Sequence, residues 1–194
     1  MALPRRLRVE PLEDRRLLAI TVNTLVDELD GSITDGDVSL RDALAAAPVG
    51  ETIDFSVTGT INLTLGELKI DKALTISGPG ASLLTIDASG NDPTPDENYG
   101  DGSRVFNIDD GNDGNLIEVS VTKMKFSSGD CLGDGGAILN RENLEIADSV
   151  FAHNVAGISG GAIHHSFGRL IMTDCLVNEN FSQISGGGIY LDRL

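Results

Sequence analysis

The chain has no tryptophan, and aromatic residues make up only 4% of its 194 positions. A sugar site built on aromatic platforms therefore has little to draw on. Cysteine is nearly absent. Cys131 and Cys175 cannot form a disulfide framework, and two thiols neither require nor exclude an oxidising compartment. No apolar run approaches the roughly 20 residues of a membrane-spanning helix. The amino terminus has arginines but lacks the apolar stretch of about 7–15 residues that a secretory signal needs. Positive charge is scarce as well: 14 Lys and Arg stand against 30 Asp and Glu, for a net charge of −16. Five of the arginines crowd into residues 1–18 beside three acids, leaving −18 on the remainder. Such a surface repels phosphate backbones, which argues against a nucleic-acid partner. It suits hard cations such as calcium.

Glycine, by contrast, occurs 23 times, and part of it is periodic. "GGAILNRENLEIADSVFAHN" (135–154) is followed by "GGAIHHSFGRLIMTDCLVNEN" (160–180), and "GGGIYL" (186–191) restarts the phrase. In this alignment Leu144 and Ile146 match Leu170 and Met172, Ser149 and Phe151 match Cys175 and Val177, and Asn154 matches Asn180. One period earlier, Val119, Val121, Met124 and Phe126 fill the same four apolar slots. Within each unit apolar and polar residues alternate with period two, break at a corner (Ala147-Asp148, Thr173-Asp174), then alternate again. Period two means strand. A unit of this size cannot bury its apolar face alone, but stacked on a neighbour it can. The expected fold is all-β, a parallel β-solenoid.

Upstream, residues 51–87 hold four or five short β-rich runs punctuated by glycine. Residues 88–103, "ASGNDPTPDENYGDGS", read as an acidic loop insertion, after which "RVFNI" (104–108) resumes the strand pattern. One helix is expected, over 38–47. Ser39 and Asp42 form its capping pattern, Leu40, Ala43, Leu44 and Ala47 its apolar stripe, and Pro48 and Gly50 its stop. An amphipathic helix there would cap the first coil. No such cap follows the last repeat, so the chain reads as a C-terminally truncated solenoid whose open end invites end-to-end self-association. The expected organisation is an N-terminal sorting-like segment (1–19), a cap (20–50) and a β-helix body (51–194).

Residues 20–47, "ITVNTLVDELDGSITDGDVSLRDALAAA", resemble the CSLREA module that caps secreted bacterial β-helix proteins. The stretch 52–90 and the "GGAI…N" units resemble the bodies of those proteins, including polymorphic-outer-membrane-protein-like and pectate-lyase-like repeat families. "RVEPLEDRRLLA" (8–19) is similar to a short motif on large planctomycete surface proteins. The resemblance implies a right-handed parallel β-helix and an extracellular or cell-surface location. The family carries two cysteines where this chain has Ile33 and Val38, which implies an apolar contact in place of a disulfide. Asp42 stands for the family's Glu and keeps a capping carboxylate.

Chemistry is thinly marked. Asp109, Asp113 and Gly114 occupy positions 1, 5 and 6 of a calcium-loop template, but position 12 is Ser120 where the bidentate Glu belongs. Asp109 and Asp113 are thus partial calcium candidates, and no other cofactor is expected. Asp148 and Asp174 should stack at one corner, as turn residues or as an acid pair. His164 stands where the flanking repeats have Leu139 and Tyr190, a packing or surface slot. Asn154 and Asn180 should form an amide ladder. Arg104, Arg141 and Arg169 stand in no catalytic motif. Two functions remain open: a non-catalytic adhesin-like or structural surface protein, with a polysaccharide or cell-surface ligand, or a polysaccharide lyase or hydrolase whose active coils lie beyond residue 194.

Overall fold

The structure, a computed structural model, describes residues 19–95, 97–98 and 100–192. The motif at 8–19 lies outside them except for Ala19.

The described chain is mostly β, and its strands assemble into four parallel sheets. Sheet A has six strands: Ile20–Val22, Glu51–Phe55, Leu74–Ser77, Glu118–Thr122, Asn143–Ala147 and Leu170–Thr173. Sheet B runs through Gly59–Asn62, Leu84–Asp87, Lys125–Ser127, Val150–Ala152 and Leu176–Asn178. Sheet C contains Leu68–Ile70, Phe106–Ile108, Ile138–Asn140, Ile163–His165 and Ile189–Leu191. A short sheet D joins Asp130–Cys131, Val155–Ala156 and Phe181–Ser182. In each sheet, strands adjacent in space come from successive passes of the chain.

The register is the one the alternation requires. Leu144 lies beside Val119 and Leu170, and Ile146 beside Val121 and Met172. Phe151 lies between Phe126 and Val177. A slip of one residue would turn every one of these side chains outward. Ile146, Phe126 and Phe151 have no solvent exposure. The rings of Phe126 and Phe151 stack at 4.7 Å, and Phe106 meets Phe126 edge-on at 5.5 Å. Sheet D has no counterpart in the repeat pattern: Cys131, ahead of the Gly135 pair, forms a strand beside Ala156. Its two-residue strands are too short to show an alternation.

The paired glycines do two different jobs. Gly135 and Gly160 have φ of 69° and 68°, a left-handed turn that a β-carbon disfavours. Gly136 and Gly161 instead lack room, because a β-carbon on Gly136 would overlap the carbonyl oxygen of Gly161 in the next repeat. Successive glycine pairs hydrogen-bond directly, Gly136 N–H to Gly160 O and Gly161 N–H to Gly186 O.

The helix spans Leu40–Ala46, and Ser39 is its N-cap. The Ser39 side chain accepts from the Asp42 N–H and donates to Asp42 Oδ2 at 2.7 Å. Leu40, Ala43, Leu44 and Ala47 are buried, as the stripe predicts. The helix packs against the strands Ile20–Val22 and Leu68–Ile70 at the start of the stack. Val38 is buried and Ile33 half-buried, both packed against the core.

Candidate functional site

The two calcium candidates, Asp109 and Asp113, have different main partners. Asp109 joins Asp110 and the buried Glu142, their carboxylate oxygens lying within 4.8 Å of one another. Asp113 instead pairs with Arg141 at 3.0 Å, and the Arg141 Nε also lies 3.5 Å from Asp109. Both Glu142 oxygens accept backbone N–H groups, from Asp110 at 3.0 Å and Ile117 at 2.9 Å. The loop is thus closed by Arg141 and Glu142, neighbours in the chain that the calcium template did not contain because they lie beyond the next strands. Burial, then the charge of Asp110, push the Glu142 carboxyl up despite those two hydrogen bonds. A cation here would have to compete with Arg141 for Asp109.

A second acidic group lies on the loop 88–103. Asp92, Asp101 and the buried Asp130 bring carboxylate oxygens within 4.8 Å of one another. Asp92 and Asp130 border a cavity of about 170 Å³ that Glu97, Ser128 and His153 also line. Burial raises the Asp92 carboxyl, and the neighbouring Asp101 adds to the effect. Nearby, Asp87 accepts from the hydroxyls of Ser89, Ser127 and Ser128. Burial opposes its charge, but these bonds outweigh it and the carboxyl is held low.

The stacked corner residues are turn residues. Lys123, Asp148 and Asp174 share one column with φ of 60°, 51° and 52°, and Ser128, His153 and Glu179 form a second with 59°, 58° and 54°. Aspartate enters this left-handed region more readily than branched residues do. His153 and Glu179 face each other at 3.1 Å on the exterior. Asn154 and Asn180 form the expected ladder, with Asn154 Nδ2 donating to Asn180 Oδ1 at 2.9 Å. Both thiols are free. Burial raises the Cys131 thiol although Arg104 lies close by. Arg104 pairs with Glu67 at 2.5 Å, and Arg169 approaches Glu118 at 3.5 Å on an exposed face.

The histidines at 164 and 165 have opposite surroundings. His165 takes an inward slot in sheet C, where its Nδ1 lies 2.7 Å from Asn140 Nδ2 and its Nε2 3.2 Å from Gly168 O. Only the neutral Nε2–H tautomer satisfies both bonds, and burial accordingly lowers its pKa. His164 points the other way. It lies in register between Leu139 and Tyr190, 6% exposed, with its ring stacked on Tyr190 at 5.2 Å. The packing slot is therefore real, and it places a buried imidazole among carboxylates. No described helix is long and apolar enough to cross a membrane.

Compared with protein-family models, with curated proteins and with solved structures, the chain matches none.

Proposed function

We propose that the four sheets are the faces of a right-handed parallel β-helix capped by the helix Leu40–Ala46, and that this body is a non-catalytic module displayed outside the cell. The observation that supports the reading is the single register kept from one chain pass to the next, in sheets A, B and C alike. Stacking of that kind makes a stiff body, each pass buried by its neighbours. An acidic exterior keeps such bodies apart and soluble at high local density. The residues beyond the core serve turns, ladders and ion pairs, and a spacer or adhesin-like scaffold needs no more. The CSLREA-like opening points to the same extracellular setting, with a polysaccharide or another cell-surface molecule as the ligand class and calcium as the candidate ion.

The test is direct. Purified chain is incubated with acidic and neutral polysaccharides, with and without calcium, while bond cleavage and binding are followed together. Binding without cleavage is the expected result. Release of new chain ends that depends on the protein would favour the lyase or hydrolase alternative. Immunolabelling of intact cells checks the location, and a purely cytoplasmic signal would overturn it.

A further inference from the structure

Asn107, on the outward face of sheet C, is held by only one end of its amide. Its Nδ2 donates to Glu67 Oε1 at 2.8 Å, while its Oδ1 is buried without a hydrogen-bond partner. The amide cannot be turned round, because a carboxylate accepts and only the nitrogen donates. A buried carbonyl oxygen left in this state costs free energy. Beside Asn107 in the sheet stands Lys69. The two are register partners on the strands Phe106–Ile108 and Leu68–Ile70, between the buried pairs Phe106–Leu68 and Ile108–Ile70. Both therefore point outward, on one face. Lys69 is exposed and makes no hydrogen bond or ion pair among the described residues. Glu67 directly precedes the same strand, and its Oε2 is taken by Arg104. An amine, a carboxamide and a carboxylate thus share one face of two adjacent strands.

We propose that Lys69 and Asn107 become joined by an isopeptide bond, formed by the folded chain itself with Glu67 as the proton carrier. Glu67 takes a proton from the Lys69 ammonium, and the freed amine attacks Asn107 Cγ. A C–N bond forms, and the carbonyl electron pair moves onto Oδ1. As that pair returns, the bond from Cγ to Nδ2 breaks, and Glu67 passes its proton to the departing nitrogen that it already holds. The new amide nitrogen sheds its extra proton, and the released ammonia takes it up as ammonium. A lysine ammonium and a primary amide have then become a secondary amide and an ammonium ion, with no oxidant, metal or co-reactant. Neighbouring parallel strands lie about 4.8 Å apart, a gap within reach of the flexible lysine arm. Register pairing keeps the two groups together, which replaces an encounter in solution by a reaction within one body. The surroundings support the geometry. Arg104 also donates to the carbonyls of Asp134 and Gly135, so it fixes the carboxylate that orients Asn107. On its other side Asn107 meets Leu139, whose apolar side chain offers the amide no competing partner. The bond would tie one pass of the chain to the next and close the stretch that carries the loop 88–103. It does not depend on the display reading.

The experiment reads the intact mass of the purified chain and maps its proteolytic peptides. The mass should fall short of the sequence by one ammonia, and a branched peptide should carry Lys69 joined to Asn107. Lys69→Arg keeps the positive charge but removes the nucleophile, and Asn107→Ala removes the acceptor, so each should restore the full mass. Glu67→Gln should leave the two residues unjoined, whereas Lys72→Arg, at the next lysine along the chain, should not alter the loss. A second measurement needs no variant to fold. The unaltered chain, made by chemical synthesis and kept in denaturant, should have its full mass and lose ammonia only on folding. The proposal is overturned if the folded chain keeps its full mass, or if it loses ammonia no faster than the denatured one. It is equally overturned if the loss survives in Lys69→Arg, for then an asparagine has closed to an imide and no lysine is joined. A bond that forms undiminished in Glu67→Gln would overturn the role of Glu67.

Discussion

At the residue scale, Phe151 is a core residue whose loss should be costly. It is fully buried, stacked on Phe126, and flanked on both sides in its sheet by Phe126 and Val177. Phe151→Ala removes a ring with no nearby chain free to refill the space, and should cost about 3–5 kcal/mol in denaturant unfolding. A loss below about 1 kcal/mol would mean that the core collapses around the gap. The corner column behaves differently. Asp148 has φ of 51°, so Asp148→Gly should be neutral or mildly stabilising while Asp148→Val should destabilise. His165 supplies one part of the pH dependence. Its folded pKa is lowered, so the unfolded chain binds the proton more readily. Its contribution is fully present above the unfolded value of about 6.5, declines as pH falls below that, and levels off once the folded imidazole also protonates. In an NMR titration the His165 ring should therefore change state at a lower pH than an unperturbed imidazole. A midpoint at or above about 6.5 would contradict the tautomer assigned from Asn140 and Gly168.

The helix illustrates the element scale. Its stripe and cap are legible in the residues, but what fastens it to the body is not. Asp27, from the irregular segment before the helix, pairs with Arg41 at 2.7 Å and accepts the N–H groups of Thr64 and Leu65. Arg41 in turn donates to the carbonyls of Gly66 and Glu67. The pair ties the cap to the loop between Gly59–Asn62 and Leu68–Ile70, and the Asp27 side chain is 2% exposed. Removing one partner leaves the other charge buried and unanswered. Asp27→Ala should cost about 3–5 kcal/mol, and Arg41→Ala in the same background should cost less than it does alone. A double-mutant cycle showing simple additivity would mean that the two residues act independently. Lys72 adds a lesser tie, donating to the carbonyls of Leu44, Ala45 and Ala47 at the end of the helix.

At the scale of the whole molecule, burial falls towards one end. In the inward column of sheet C, Ile138 and Ile163 have no exposure while Ile189 has 36%. Phe181 and Leu191 are exposed by more than half. The strands Leu170–Thr173, Leu176–Asn178 and Ile189–Leu191 each pair on one side only among the described residues. Open backbone edges beside apolar side chains recruit further strands. We propose that the 194-residue chain self-associates through this end. Sedimentation at several concentrations should show a larger species that Ile189→Lys suppresses, and that changes on the loop 88–103 leave in place. A monomer at every concentration would sink the idea.

Much of this protein is determined by its sequence alone. Strand identity, register and the inward residues follow from period-two alternation repeated at nearly constant spacing, because a strand has only two faces and one of them must be buried. The capped helix and the asparagine ladder were legible for equally local reasons. Other features required the tertiary structure. Sheet D was hidden because two-residue strands carry no period. Glu142 was invisible to the calcium template, and Asp27–Arg41 to the capping pattern, because each joins residues that only folding brings together. His164 and His165 are neighbours in the chain and read alike there. Stacking sends one inward to Asn140 and the other outward between Asp134 and Asp192, since adjacent residues on a strand point to opposite faces. Which carboxylates meet that second imidazole is decided by the repeats above and below it.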